Sequence, residues 1–284
     1  MKWLVNLPAG VKFMLQSTAW FALMNIFTKM VSHLPTGEIV FFRCSVSLLF
    51  CFIALKRDGI PLKGNRHILL WTRGIVGTFS LYLYFVTLQN MRLGTAVTIQ
   101  YLSPIFTIVV AWVALGEKVK IVQWLFFATS FAGVILIKGF DSDVSILFLI
   151  IGLTSAFFSA IAYTLIRTLK NNEHPMVIVY HFMLVGTLAG LVMMFFDFKI
   201  PQGSEWLWLI LIGVSTQLGQ INMTRALQTS VVAEVSILNY IGVLYALVAG
   251  FFFFDELYSA TTLGGIVLII AGVVMNIWFT RKKQ

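Results

Sequence analysis

The stretch Thr98-Ile-Gln-Tyr-Leu-Ser-Pro-Ile-Phe-Thr-Ile-Val-Val-Ala-Trp-Val-Ala-Leu-Gly-Glu117 decides how the rest of the chain is read. A helix needs about 20 mostly apolar residues to cross a bilayer, and this run is long and apolar enough. Yet Gln100, Tyr101, Ser103 and Pro104 interrupt it. At about 100° per residue, Gln100, Ser103, Thr107 and Ala111 share one face with Pro104, and Tyr101 stands beside it. Pro104 has no amide hydrogen, so the carbonyl of Gln100 loses its helical partner. In lipid a freed acceptor is tolerated only against protein or a wet cavity. Taken alone, the stretch reads as a kinked core helix with a satisfied glutamine.

A second copy changes that reading. A shift of 139 residues lays Gln100-Tyr101 on Asn239-Tyr240 and Glu117 on Glu256. The same shift superposes Leu88-Gln89 on Leu227-Gln228, Val109 on Val248, and Ala132-Gly133-Val134 on Ala271-Gly272-Val273. An amide followed by tyrosine at the same depth in both copies is more specific than the scattered identities around it. Ser236, Gly242, Ala246 and Gly250 share the face of Asn239, so small and polar residues again line one side. Pro104 falls on Val243, which predicts a second copy without the kink.

Composition places the chain in a bilayer. Of 284 residues 59% are hydrophobic and 11% charged, with a mean hydropathy of +0.92. Soluble domains carry roughly 25% charged residues, so this is a polytopic membrane protein. Connections between apolar runs are too short for an aqueous domain. The net charge of +9 is scattered over short loops, so no nucleic-acid footprint is expected. Cys44 and Cys51 lie seven apart in one run; they fit neither a metal site nor a disulfide and read as packing thiols. Lys2 and Lys12 precede the first apolar run, which reads as an uncleaved helix rather than a signal peptide.

Ten spans are predicted, at roughly 11–32, 36–55, 68–89, 94–115, 120–138, 145–169, 175–196, 205–226, 231–253 and 260–279. Lysine and arginine fall thirteen to one side and four to the other when the N-terminus is cytoplasmic, with Arg43, Arg73 and Arg225 left out of the count as intramembrane candidates. Both termini are therefore expected in the cytoplasm. The offset carries one five-helix half, residues 1–140, onto the other, 141–284. Five is odd, so the halves cross in opposite directions, the inverted repeat used by many secondary transporters.

These features together resemble the EamA-type, ten-helix branch of the drug/metabolite transporter superfamily. The resemblance rests on Phe42-Arg43, the Ser103-Pro104 kink, Leu115-Gly116-Glu117, Glu256, and the glycines Gly133 and Gly272. Asp255 stands where that pattern has glycine, and the second proline is absent. The resemblance implies an all-α fold of two inverted repeats and a metabolite-transporting function. It leaves the cargo open among amino acids, nucleotide-linked sugars, cofactor-like metabolites and drugs. For Arg43 it implies a structural anchor, the favoured reading, or contact with a substrate anion.

Other spans carry polar stripes at helical spacing: Thr18, Asn25, Lys29 and Ser32; Arg73, Gly77, Ser80, Tyr84 and Thr87; Gly152, Ser155, Ser159 and Tyr163; Gly213, Gln217, Gln220 and Thr224. Small and hydroxyl residues ordinarily serve helix packing. Buried amides are costly unless paired, so Asn25, Gln217 and Gln220 read either as helix bridges or as cavity wall. His181 reads as a hydrogen-bonded packing residue. Glu117 and Glu256 end their helices, where capping is the default role and gating the functional one.

The expectation is a secondary carrier, exporter or exchanger in the bacterial inner membrane, working by alternating access as a monomer or homodimer. Its substrate site is expected to comprise Asn25, Tyr84, Gln100, Tyr101, Tyr163, Gln217, Gln220, Asn239 and Tyr240, with Pro104 as hinge. No catalytic motif, metal site or cofactor-binding motif is present in the sequence, so neither metal nor cofactor is expected. The rival reading is a non-transporting membrane scaffold or a lipid-modifying enzyme.

Overall fold

A computed structural model describes residues 9–115, 121–140, 145–229 and 237–281. Among them there is no strand. In order run α1 (Ala9–Met30), α2 (Thr36–Arg57), α3 (His67–Asn90), α4 (Leu93–Gln100), α5 (Ser103–Leu115), α6 (Ile121–Phe140), α7 (Ile146–Thr168), α8 (Pro175–Met194), α9 (Glu205–Thr229), a 3-10 turn (Ile237–Tyr240), α10 (Ile241–Phe254) and α11 (Ala260–Arg281). Helices are what a bilayer permits, because each backbone donor finds its acceptor within its own segment.

The outward surface is as apolar as the interior. Leu49, Phe50 and Ile53 on α2, Ile75 and Phe79 on α3, and Val248, Phe251 and Phe252 on α10 are exposed. Patches this extensive have no place in water and match a lipid-facing belt. Among the described residues, four helices are individually long and apolar enough to cross a membrane: α2, α3, α7 and α8. The prediction of ten spans by hydrophobic runs is thus met clearly by four. Two physical features dilute or shorten three of the other predicted spans. α1 and α9 turn amides and hydroxyls inward, which lowers their average hydropathy. The fourth predicted span is broken in two, as α4 and α5.

Helix pairing runs between the two parts of the chain. α1 packs along α9 and α3 along α7; α2 lies on α8 and α6 on α11. α2 also meets α9, α3 meets α8, and α5 and α10 rest on α7 and α1 respectively. Glycines set the closest approaches. A Cβ on Gly133 would stand 2.5 Å from the Gly265 carbonyl oxygen, and one on Gly272 would stand 2.6 Å from the Phe126 carbonyl oxygen. Gly190 likewise brings α8 onto the α2 backbone at Phe41, while Cys44 packs on Gly186.

The break between α4 and α5 lies at Tyr101-Leu102, with Pro104 second in α5. Ile105 N–H turns to the Leu102 carbonyl at 2.9 Å, which frees the carbonyl of Tyr101. Tyr240 takes it up, its hydroxyl donating to that oxygen at 2.7 Å. The second copy also departs from α geometry without a proline, through the 3-10 turn before α10. Val243, at the position equivalent to Pro104, lies within α10. A 3-10 turn commonly tightens a helix start, and here it ends on the tyrosine that bonds the first break.

Candidate functional site

A cavity of about 100 Å³ opens inside the bundle beside the Tyr101 break. A void of roughly 10–15 Å³ on this measure already holds a water, so this one has room for several or for part of a small ligand. Asn25 of α1, Arg43 of α2, Arg73, Ser80 and Tyr84 of α3, Gln100 and Tyr101 at the break, Ser159 and Tyr163 of α7, Phe182 of α8 and Gln220 of α9 line it.

Hydrogen bonds hold much of this wall. Tyr84 donates its hydroxyl to Asn25 Oδ1 at 3.0 Å, tying α3 to α1. Gln100 is anchored at both ends of its amide: Nε2 donates to Ser159 Oγ at 2.7 Å, and Ser155 Oγ donates to Oε1 at 2.8 Å. Ser80 joins the same cluster, 2.6 Å from Ser159 Oγ and 2.9 Å from the Ser155 carbonyl oxygen. The serines of the predicted stripes thus pack helices together and at the same time aim the glutamine. Gly242 leaves room for Tyr101, whose hydroxyl lies 2.5 Å from where a Cβ would be.

The two arginines differ from the rest. Arg43 and Arg73 are 3% and 2% exposed. Both address the Phe182 ring, with Cζ 5.6 Å and 4.3 Å from its centroid. Arg43 has a weak contact to Cys44 Sγ at 3.7 Å. Nε of both residues and Nη1 of Arg73 are buried without an acceptor. An arginine deep in a bilayer costs about 2.5–3.5 kcal/mol on insertion scales. A desolvated cation–π contact returns about 2 kcal/mol or more. Arg43 also lies 5.6 Å from the Phe85 centroid, but aromatic rings leave these buried N–H groups without a hydrogen-bond acceptor.

Not every predicted site residue reaches the cavity. Gln217 faces the other way, accepting from Ser47 Oγ at 2.5 Å and Cys51 Sγ at 3.2 Å. It bridges α9 to α2, the course open to an amide on the α2-facing side of its helix. Tyr240 seats Tyr101, with ring centroids 5.9 Å apart edge to face, and is not part of the lining. His181 sits on the Trp71 side of α8, its Nδ1 2.9 Å from the Val177 carbonyl oxygen, in a packing role. The side chain of Asn239 and the whole of Glu117 lie outside the described residues. Arg73 is the residue that the stripe reading noticed and left without a role. Its signal was there: a charged residue in an apolar span is a functional candidate by default.

A second cluster closes one end of the bundle. Glu256, 9% exposed, follows α10 and lies 3.5 Å from Lys29 Nζ. Its Oε2 accepts from Leu93 N–H and from the Tyr258 hydroxyl, each at 2.7 Å. Lys29 also donates to the carbonyls of Leu88 and Met91, at 3.2 and 2.5 Å. One carboxylate thus ties α1, the start of α4 and the end of α10. Gly250 leaves it space, since a Cβ there would lie 2.5 Å from both Glu256 Oε2 and the Tyr258 hydroxyl. Asp255 caps α10 in the left-handed region, φ 51°, while Glu256 N–H bonds the Gly250 carbonyl at 3.0 Å. Glycine adopts this conformation without a Cβ penalty. Asp255→Gly is therefore expected to stabilise the protein by about 0.5–1 kcal/mol, read as a small rise in unfolding temperature.

Comparison with known proteins agrees with this architecture. The model of the EamA-like transporter family matches residues 8–139 and again 146–278. The chain is 32% identical over 274 residues to the pseudopaline exporter of Pseudomonas aeruginosa, covering 95% of this chain and 96% of that protein. It is 29% identical over 298 residues to human solute carrier family 35 member G1, covering 96% and 81%. It is 23% identical over 285 residues to a riboflavin transporter of Vibrio cholerae, covering 97% and 95%. A protein of known crystal structure shares the fold, with a TM-score of 0.70 at 15% identity over 96% of this chain and 97% of that one. Matched twice and over nearly its whole length, this integral membrane protein belongs to the EamA-like transporter family of the drug/metabolite transporter superfamily.

Proposed function

We propose that the protein is a secondary carrier that moves a small polar metabolite by alternating access, with the cavity beside Tyr101 as its substrate site. The moving parts are two inverted five-helix halves, residues 1–140 and 141–284. The observation that carries this reading is reciprocity across the 139-residue offset. Tyr101 and Tyr240 are equivalent positions, and they touch. Ser130 and Ile269 are equivalent, and the serine hydroxyl donates to the isoleucine carbonyl at 3.3 Å. Gly133 packs on Gly265 and Ile269, whereas Gly272 packs on Phe126 and Ser130, the same positions with the halves exchanged. The pairing of α1 with α9 answers that of α3 with α7, and α2 with α9 answers α3 with α8. Contacts of this kind are what a two-fold axis generates, and the cavity lies beside the Tyr101–Tyr240 contact.

Such a bundle can hold two packings related by exchange of the halves, each opening the same cavity to one side. Lys29 and Glu256 close one end in the packing described above. The lysine and arginine count supports an orientation with both termini in the cytoplasm of a bacterial inner membrane, and so Glu256 on the outer side. Relatives named for pseudopaline export and riboflavin transport support a small metabolite as cargo.

Counterflow of labelled metabolites in proteoliposomes tests the proposal. Gln100→Ala empties the amide from the cavity wall and unties α4 from Ser155 and Ser159. It is expected to lower flux at least tenfold while the variant still inserts and elutes as the wild type does. Wild-type flux in Gln100→Ala would remove the site. Absence of counterflow by the wild type, with turnover of lipid instead, would favour an enzyme; neither flux nor turnover would leave a scaffold.

A further inference from the structure

We infer that the substrate is a small organic anion whose carboxylate or phosphate group docks between Arg43 and Arg73. This deepens the carrier reading and rests on it. The two guanidiniums share the ring of Phe182, so they lie no farther apart than their distances of 5.6 and 4.3 Å to its centroid laid end to end. Two like charges held that close, each at least 97% buried, call for a counter-charge. Among the described residues none stands beside them: no described aspartate or glutamate lines the cavity. The described buried carboxylates are engaged elsewhere. Glu38 accepts from Lys199 N–H, Glu173 from the backbone of Asn65 and Arg66, and Glu256 binds Lys29.

The unpartnered atoms of the lining tell the same story. They are Nε of Arg43, Nε and Nη1 of Arg73, and Nε2 of Gln220. Every one is a donor. A ligand that completes this wall must bring acceptors, and an oxyanion brings the most per atom. The planar guanidinium fork suits a carboxylate or phosphate in two-point contact. A cationic ligand would be repelled, and an uncharged one would leave both charges uncompensated. Gly77 takes part by its lack of a side chain: Arg73 Nη1 lies where its Cβ would be, and Phe182 is 3.1 Å from the same point.

The experiment uses the purified full-length chain in detergent and measures unfolding temperature with succinate, citrate and glycerol phosphate. Succinamide, glycerol and putrescine serve as uncharged and cationic counterparts. At least one anion is expected to raise the transition by about 5 °C at a hundredfold excess over its Kd, and none of the counterparts by more than a fifth of that. Arg73→Gln should lose at least tenfold in anion affinity, whereas the empty variant should unfold at or above the wild-type temperature, because a burdensome charge is gone. A purely structural arginine predicts the reverse, a lower transition without ligand. Gly77→Ala, which keeps the charge but displaces the fork, should also weaken anion binding; it replaces Arg73→Gln if that variant does not fold.

Stabilisation by succinate or citrate alone identifies a carboxylate, and by glycerol phosphate alone a phosphate. The inference is overturned if no anion stabilises, if an uncharged or cationic counterpart matches the anions, or if Arg73→Gln keeps its anion affinity. Flux in proteoliposomes separates the two levels. Anion binding without flux refutes the carrier and leaves the anion site standing. Flux of an uncharged compound that the anions do not inhibit refutes the anion site and leaves the carrier standing.

Discussion

Glu256→Gln should abolish transport and loosen the end of the bundle that Lys29 closes. The carboxylate holds Lys29, Leu93 N–H and the Tyr258 hydroxyl together in a largely buried setting. Removing one partner of a buried ion pair costs about 3–5 kcal/mol, because the other charge stays behind. Lys29 keeps two backbone carbonyls, so the lower value, about 3 kcal/mol, applies here. A loss of that size shifts a two-state equilibrium by roughly a hundredfold, enough to empty the closed packing. Lys29→Met should act alike, leaving the carboxylate with hydrogen bonds alone. The double variant Lys29→Met with Glu256→Met should regain much of the stability, since replacing a whole buried pair by apolar groups is often neutral. It should not regain transport, because a gate that cannot part to water no longer cycles. Unfolding temperatures of the wild type, Lys29→Met, Glu256→Met and the double variant form a double-mutant cycle, and a coupling under about 0.5 kcal/mol would show the pair to be ornamental. The effect also reaches the cavity. Leu93 opens α4, and α4 is short and ends at Gln100, so whatever moves Glu256 moves the break.

The second large effect is expected at the contact of α6 and α11. Gly133→Leu places a side chain where the Gly265 carbonyl oxygen and the Ile269 amide nitrogen lie at 2.5 and 2.9 Å. Both obstacles are backbone, which cannot turn aside as a side chain would. Overpacking costs about 1–3 kcal/mol where side chains adjust; here the helices must separate, and a loss of at least about 3 kcal/mol is expected. Gly272→Leu meets the equivalent atoms of α6 and should be as severe. Gly264→Leu is the control: it neighbours Gly265 but faces only Leu136 at 3.6 Å, and it should behave as the wild type. Thermal unfolding and yield of monodisperse protein measure all three. A tolerant Gly133→Leu would mean that the two helices are not held this close in the membrane.

The polar interruption at Gln100-Tyr101-Leu-Ser-Pro104 sits where α4 breaks from α5, because proline removes a donor wherever it stands. The recurrence of amide-tyrosine after 139 residues singled out Tyr101 and Tyr240, and they are in contact. Gln217 and Gln220 looked alike on one helix. Three residues of helix turn the side chain by roughly 60° short of a full circle, and that difference sends one to Ser47 and the other to the cavity. Arg73 was visible as a charge in an apolar run, but not as a companion of Arg43, because the two sit on different helices and share a ring carried by a third.

From the sequence by itself came the solvent and the periodicities: long continuous apolar runs in lipid fold as helices, and polar residues at helical spacing turn inward. Those are local consequences of hydration and backbone hydrogen bonding, which each segment carries on its own. Only the tertiary structure decided which inward-facing groups find partners and which are left as donors around a void. That choice depends on helix rotation and on glycine-set distances between segments far apart in the chain, and no single segment encodes them.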